Sequence, residues 1–492
     1  MKKKHQFTNT LKKMNKSIGY KIGLMALMGV GLWSCKTPQV AIDFDSKAKL
    51  PSAYSNTTTD TINSGLTPWR QFFTDKNLTT LIEEALKNNQ ELMITLQEIE
   101  VAKNEVLYKK GKLAPKVGVG VGAGVEKVGR YTSQGAGDAN TDIEPGRKMP
   151  EPLGDFSAGL TASWEIDMWG KLHHAKEAAV KRYLGTVEGK NYVLSALISE
   201  VATSYYELLA LDNQLDLTLQ YIDLQKKALE IVKIQKQAAR GTELGVKKFE
   251  GELLKAQSLE FSIRQDITET ENRINALLGR YPQPIVRNKE LFMDLVPATV
   301  KTGIPAQLLS NRPDIKQAEL ELEAAKLDVK VARAEFYPSL DISATLGLNA
   351  FKPSYLTKLP ESMMYSLVGE LAAPLINKSA IKAEFNTANA HQIQALYEYD
   401  KRLLNAYLDV ANQMAKINNM QQVFEYKKNE TKTLSDAVSI ANELFKSSRA
   451  DYLEVLMTQR EAMDAKLELV EAKTKQLNAV VDIYKSLGGG WQ

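Results

Sequence analysis

No proline interrupts the sequence between Pro152 and Pro282, and none follows Pro374. Proline removes a backbone donor and clashes with the preceding helical turn, so its absence permits long helices. Both stretches are rich in Ala, Leu, Glu, Lys and Gln, which favour them. In the first, Leu194, Leu197, Val201, Tyr205, Leu208, Leu211, Leu215, Leu219 and Ile222 recur at a mean spacing of 3.5 residues, the period of a left-handed coiled coil. Leu403, Tyr407, Val410, Met414, Ile417 and Phe424 continue the rule in the second. Such stripes are packing seams, not ligand sites. The pattern predicts long helices at 171–240 and 380–447, each returned by a tight turn into a helix at 246–278 or 453–487. Further helices are expected at 77–113 and 306–336. A 70-residue helix reaches roughly 105 Å. Neither partner matches that length alone, so the preceding and returning helices of each half are expected to stack end to end beside the long one.

Between the helical stretches the period changes to two, which means strand. In VGVGVGAGV at 117–125, Val or Ala alternates with Gly. At 155–166, Phe156, Ala158, Leu160, Ala162, Trp164 and Ile166 oppose Asp155, Ser157, Gly159, Thr161, Ser163 and Glu165. At 339–350, Leu340, Ile342, Ala344, Leu346, Leu348 and Ala350 oppose Ser339, Asp341, Ser343, Thr345, Gly347 and Asn349. A weaker strand is expected near 365–373. Half-buried sheets of soluble proteins alternate in the same way, so the pattern alone does not decide between them. Alternation over about 9–11 residues, an aromatic at an end and the outer-membrane address derived below together fit a transmembrane β-barrel, and four strands cannot close one.

The halves align with each other. NNQEL at 88–92 and Pro115 match NRPDI at 311–315 and Pro338 at an offset of 223, which marks an internal duplication. The expected organisation is a leader at 1–34, an N-terminal tail at 35–74, repeat one at 75–281, a Pro- and Gly-punctuated linker at 282–305 and repeat two at 306–492.

The formal charge of +4 is misleading, because residues 1–34 hold seven Lys and no acidic residue, which leaves −3 for residues 35–492. No nucleic-acid partner is expected of such a chain. The seven Lys fall in positions 2–21, and the apolar run from Ile22 to Trp33 that follows is too short to anchor as a spanning helix, as in a secretory signal peptide. It ends in LWSC, which resembles the lipobox of bacterial lipoproteins. By that resemblance Cys35, the sole cysteine, becomes the lipidated mature N-terminus. Lys36 and Thr37 follow it, with no Asp to retain the protein at an inner membrane, so outer-membrane delivery is expected.

Enzyme chemistry is not visible. One Cys and four His (His5, His173, His174 and His391) exclude thiolate metal sites and disulfide scaffolds, and no phosphate loop, HExxH or nucleophile elbow occurs. His173 and His174 are read as helix-start or interface residues, and Gly488, Gly489 and Gly490 as a helix terminator. Apart from lipid on Cys35, no cofactor and no metal are expected.

Several ordered strings carry a family resemblance: WEIDMWGKL at 164–172, NRPDI at 311–315, AEFYPSL at 334–340, YLEVL at 452–456 and LGGGW at 487–491. Across residues 75–491 the chain resembles the TolC-like outer-membrane factors, in particular the lipidated branch that serves tripartite efflux pumps. The resemblance implies a mixed, mainly α fold in which long antiparallel coiled-coil helices accompany four transmembrane strands per chain. A homotrimer would close a 12-stranded barrel continued as a periplasmic α-helical tunnel. It also implies a periplasmic adaptor and a proton-driven inner-membrane pump as partners, with the chain held in outer-membrane lipid as a passive exit duct for small toxic molecules or drugs.

Two hairpin turns, GTELGVK at 241–247 and SRADYLE at 448–454, would form the closable inner end. Gly241 suits a left-handed turn residue. Ser448 departs from the Gly usual in the family at the aligned position, and Met457 stands where another Asp is frequent. The resemblance makes Glu454 and Asp451 candidate gate residues, with Lys247 and Arg449 as possible ion-pair partners; the alternative reading of Glu454 is a solvated or intrachain-paired carboxylate. Two other readings use the same features: a duct for type I protein secretion, and a non-conducting trimeric stalk. Polar faces at 155–165 and 339–349 favour a water-filled axis over the stalk.

Overall fold

The computed structural model describes residues 50–54, 61–295, 297–374, 378–447 and 449–491; Cys35 and Ser448 lie outside them. Its principal elements in chain order are α1 (Lys76–Asn88), α2 (Gln90–Gly111), β1 (Lys116–Glu126), β2 (Leu153–Ile166), α3 (Lys171–Gln237), α4 (Glu243–Leu277), α5 (Pro313–Ala334), β3 (Ser339–Ala350), β4 (Met363–Ala372), α6 (Lys378–Lys446) and α7 (Tyr452–Ser486). Two compact units form, each from both repeats. One comprises Asn104–Lys181 with Leu322–Gln394, and the other takes the remaining described residues.

The proline-free stretches become the two very long helices, α3 with 67 residues and α6 with 69. The helix expected at 77–113 is instead broken at Asn89. That residue is extended, caps α2 by accepting from the Leu92 N–H at 3.0 Å, and donates from Nδ2 to the Leu277 carbonyl at 2.9 Å. Repeat two makes the same joint with different chemistry, which shortens the helix expected at 306–336. Arg312 is extended, Pro313 opens α5, and Arg312 Nη1 donates to the Ser486 carbonyl at 3.1 Å. Each joint therefore satisfies a carbonyl left open at the end of a returning helix.

Glycine closes both joints. Gly279 (φ +67°) and Gly488 (φ +85°) terminate α4 and α7, and a Cβ there would lie 2.3 Å from the Asn88 oxygen and 2.5 Å from the Asn311 oxygen. The returning helices thus abut the points where α2 and α5 begin, which is the expected end-to-end stack. Arg312 also forms a fork with Asp314 at 3.0 and 2.7 Å and reaches Asp409 at 3.2 Å. Burial works against its charge, but these carboxylates outweigh it and raise the guanidinium pKa.

The largest core cluster of this unit gathers Trp69, Phe73, Leu78, Ile82, Tyr205, Leu208, Ile274, Leu278 and Tyr484. Its buried hydroxyls are satisfied: Tyr205 donates to Asp75 at 2.8 Å and Tyr484 to the Thr67 carbonyl at 2.6 Å. Leu197, Val201, Tyr205, Leu208 and Ile222 of the expected α3 seam are buried, but Leu219 is exposed and Thr218 takes its place inside. The hydroxyl of Thr218 is spent on the Gln214 carbonyl at 2.8 Å, so it packs without an open polar group. Further along, Gln225 is buried and its Nε2 donates to Gln459 Oε1 of α7 at 3.2 Å. The α3 seam therefore carries a polar layer that apolar periodicity passes over.

In the other unit the principal strands form one antiparallel sheet in the order β1–β2–β3–β4, so the second strand of repeat one pairs with the first strand of repeat two. Gly159 sits opposite Gly347, and a Cβ on Gly159 would come within 2.7 Å of the Gly347 Cα. That close approach needs glycine on both strands.

Candidate functional site

The sheet separates two chemistries by register alone. Val117 aligns with Ala162 and Ala344, and Val119 with Leu160 and Leu346; Tyr365, Leu367 and Leu371 continue this face on β4. Val119 and Val121 are 80% and 82% exposed, and Tyr365 80%, so the apolar face is bare. The opposite face aligns Gly118 with Thr161, Thr345 and Ser366, and Glu165 with Asp341 and Glu370. Three carboxylates side by side repel unless water or a cation screens them. Lys171 provides part of that charge, at 2.5 Å from Glu165 and 3.5 Å from Glu335. Burial opposes the Lys171 charge, and the two carboxylates raise its pKa nonetheless. β1 and β4 are the edges of this sheet and have no further strand beside them among the described residues.

The hairpin turns lie in the other unit and are joined by a contact that sequence reasoning missed. Thr242 caps α4 by accepting from the Gly245 N–H at 3.1 Å, and its hydroxyl lies 3.0 Å from the Tyr452 hydroxyl at the start of α7. A Cβ on Gly245 would fall 2.8 Å from the Tyr452 ring, so the glycine is what admits the tyrosine. The signal was the spacing Thr242-x-x-Gly245 opposite an aromatic in the aligned turn. Gly241 does not supply the left-handed residue; Ala239 does, at φ 54°. The helix C-terminus closes as a Schellman-type cap around Ala239, with the Arg240 N–H bonding the Gln235 carbonyl at 2.8 Å, so the left-handed residue falls two positions before Gly241.

Asp451 is the N-cap of α7, accepting from the Leu453 and Glu454 N–H groups at 2.7 and 2.9 Å. Glu454 is exposed in the first turn of α7, where a carboxylate complements the helix N-terminus. Within the chain Lys247 pairs with Glu250 at 2.8 Å and not with Glu454, because both lie on one face of α4. The Arg449 backbone N–H closes the end of α6 on the Leu444 carbonyl at 2.8 Å. Across the first turn Lys236 pairs with Glu243 and, by that hydrogen bond, holds its carboxyl below the usual range. His173 does belong to a helix start: its Nδ1 lies 2.5 Å from Asp167, which also accepts from the Leu172 and His173 N–H groups.

A bare apolar sheet face, a polar face opposite it and paired helical hairpins are the parts of a membrane conduit. The model of one family, the outer membrane efflux proteins, matches residues 81–280 and 304–489, most of the chain. The chain belongs to that family. This outer membrane efflux protein is similar to the pyoverdine export outer membrane protein OpmQ of Pseudomonas aeruginosa, with 29% identity over 430 residues, 87% of this chain and 88% of the relative. It is 27% identical over 428 residues to the cation efflux system protein CusC of Escherichia coli, covering 86% of this chain and 88% of that one. Among solved structures, a membrane protein from Pseudomonas aeruginosa superposes with a TM-score of 0.82 at 22% identity, covering 92% of this chain and all of that one. The efflux protein is thus an outer-membrane exit duct and not an enzyme.

Proposed function

We propose that three copies of this chain close a 12-stranded barrel and form the outer-membrane duct of a tripartite pump for small toxic molecules or drugs. The observation that carries this reading is a four-stranded sheet that is amphipathic throughout and open at both edges. In a bilayer every unpaired strand edge leaves backbone polar groups without partners, at several kcal/mol each, and only closure removes them. Bacterial barrels begin at about eight strands, so one chain falls short and three suffice. Glycine and small hydroxyl residues on the polar face leave room for a hydrated lumen. Single chains also leave Ile94, Val101, Leu107, Phe261 and Tyr426 of the helices exposed, in keeping with burial between copies.

The remaining parts follow the same reading. The duct is passive, an inner-membrane pump supplies the energy, and a periplasmic adaptor joins the two. Cys35 carries the lipid that tethers the tail, and the hairpin turns around Glu454 and Asp451 close the inner end. Relatives are named for pyoverdine export and for cation efflux, so the duct architecture accepts different cargo and selection belongs to the pump.

Mass measurement of the detergent-extracted protein is expected to give a trimer that lacks residues 1–34 and bears added acyl mass. Deletion in a strain without paralogues is expected to raise the internal accumulation of several unrelated compounds. A stable monomer with full strand content, or unchanged accumulation of every compound tested, would contradict the duct.

A further inference from the structure

The strand-entry joints of the two repeats differ in charge. Aligned at the offset of 223, residues 106–116 carry Lys109, Lys110, Lys112 and Lys116 with no acidic residue, whereas 329–339 carry Lys330, Arg333 and Glu335. In repeat two the Glu335 carboxylate is engaged by Lys171 at 3.5 Å. In repeat one only Lys109 has a carboxylate partner among the described residues, Glu105 one turn back at 3.3 Å. Basic residues in a last helical turn complement the helix dipole, and Arg333 alone does this for α5. The extra lysines at the end of α2 exceed that need. General basicity does not account for them either, since residues 35–492 are net negative.

Their placement points to a ligand. Tyr108 is exposed, and the Lys112 and Lys109 ammonium groups lie 4.7 and 5.8 Å from its ring centroid. The following residue of the joint, Leu113, accepts at its carbonyl from Trp164 Nε1 at 3.0 Å. Trp164 stands on the apolar face of β2 opposite Ile342, near its helical end. The basic turn therefore begins where the apolar face ends, with an indole and a phenol between them. That sequence of apolar strand, aromatic pair and cations matches the sequence of hydrocarbon, interface and headgroup in a bilayer. Lys116 aligns with Ser163 and Ser343 on the polar face and is not part of the patch.

We infer that Tyr108, Lys109, Lys110 and Lys112 form a headgroup site for an anionic phospholipid at the inner surface of the membrane, an inference that rests on the exit-duct reading. Lysine stems lie along the interface while their ammonium groups donate charge-assisted hydrogen bonds to the phosphodiester oxygens. The Tyr108 ring sits at headgroup depth and holds two of the cations toward it.

Full-length protein in neutral detergent is titrated with phosphatidylglycerol or phosphatidylcholine, and bound lipids are counted by native mass spectrometry. The parent is expected to prefer phosphatidylglycerol by roughly tenfold, in line with one or two lysines near a headgroup. The preference should fall toward parity in the K109Q/K110Q/K112Q variant and with rising sodium chloride. It should persist in R333Q, in the triple arginine variant and in millimolar inorganic phosphate. Parity in the parent, an undiminished preference in the glutamine variant, or displacement by free phosphate overturns the site. Should the glutamine variant not assemble, the salt series and the arginine variant decide. Conductance of the same preparations separates the two readings: a conducting parent without lipid preference sinks this inference alone, and a non-conducting parent sinks the duct whatever lipid it retains.

Discussion

Gly245 and Glu454 sit one turn apart from the same contact and show two different uses of a hairpin tip. Gly245 is a packing requirement, because any Cβ meets the Tyr452 ring at 2.8 Å. Gly245→Val is expected to cost about 1–3 kcal/mol locally through overpacking and to break the Thr242–Tyr452 bond. Hydrogen exchange should accelerate in the amides at 243–247, and unchanged protection would show that the ring has other room. Glu454 is a charge requirement if the tips form the constriction. Glu454→Ala should alter single-channel conductance or its cation block far more than Ser343→Ala on the polar sheet face, since a charge acts most strongly where the passage is narrow. Equal recordings for both variants would remove Glu454 from the gate.

A third residue makes a pH prediction. Lys473 is buried on α7, donates to the Leu295 carbonyl at 2.5 Å and lies 4.9 Å from the Phe424 ring centroid. Burial, with Lys428 nearby, lowers its pKa against the pull of Asp294. Between that lowered value and the ordinary lysine range the unfolded chain binds more protons than the folded one, so stability rises with pH across this window. The melting temperature of the parent minus that of Lys473→Met should therefore increase from neutral toward alkaline pH. A flat or falling difference would mean that the ammonium is well solvated.

At the scale of elements, the α3 seam separates what periodicity shows from what packing chooses. Leu208 and Leu219 both fit the 3.5-residue stripe, yet Leu208 is fully buried and Leu219 is 38% exposed. Leu208→Ala is expected to cost about 2–5 kcal/mol, and Leu219→Ala less than about 1 kcal/mol, in thermal or denaturant unfolding of the assembled protein. Comparable losses at both would restore Leu219 to the seam, or place it in an interface between copies. The broken helices teach a related lesson. Asn89 and Arg312 occupy matching joints, but only Arg312 is followed by proline, so only the second break is visible locally. The first depends on the Leu277 carbonyl, which comes from 188 residues away.

At the scale of the whole molecule, the alternating strands, the proline-free coiled-coil stretches, the 223-residue repeat and the strings from WEIDMWGKL to LGGGW are all legible in the sequence. They sufficed for the architecture and the family, because strand and helix periods record which face of each element meets water. Only the tertiary structure decided which seam positions turn polar, where α1 ends, that Ala239 rather than Gly241 takes the left-handed turn, and that Lys247 answers Glu250 within the chain. Each of those outcomes is set by a partner distant in sequence or by competition among nearby charges. A periodic pattern specifies that a face is buried; it does not specify which atom of another element meets it there.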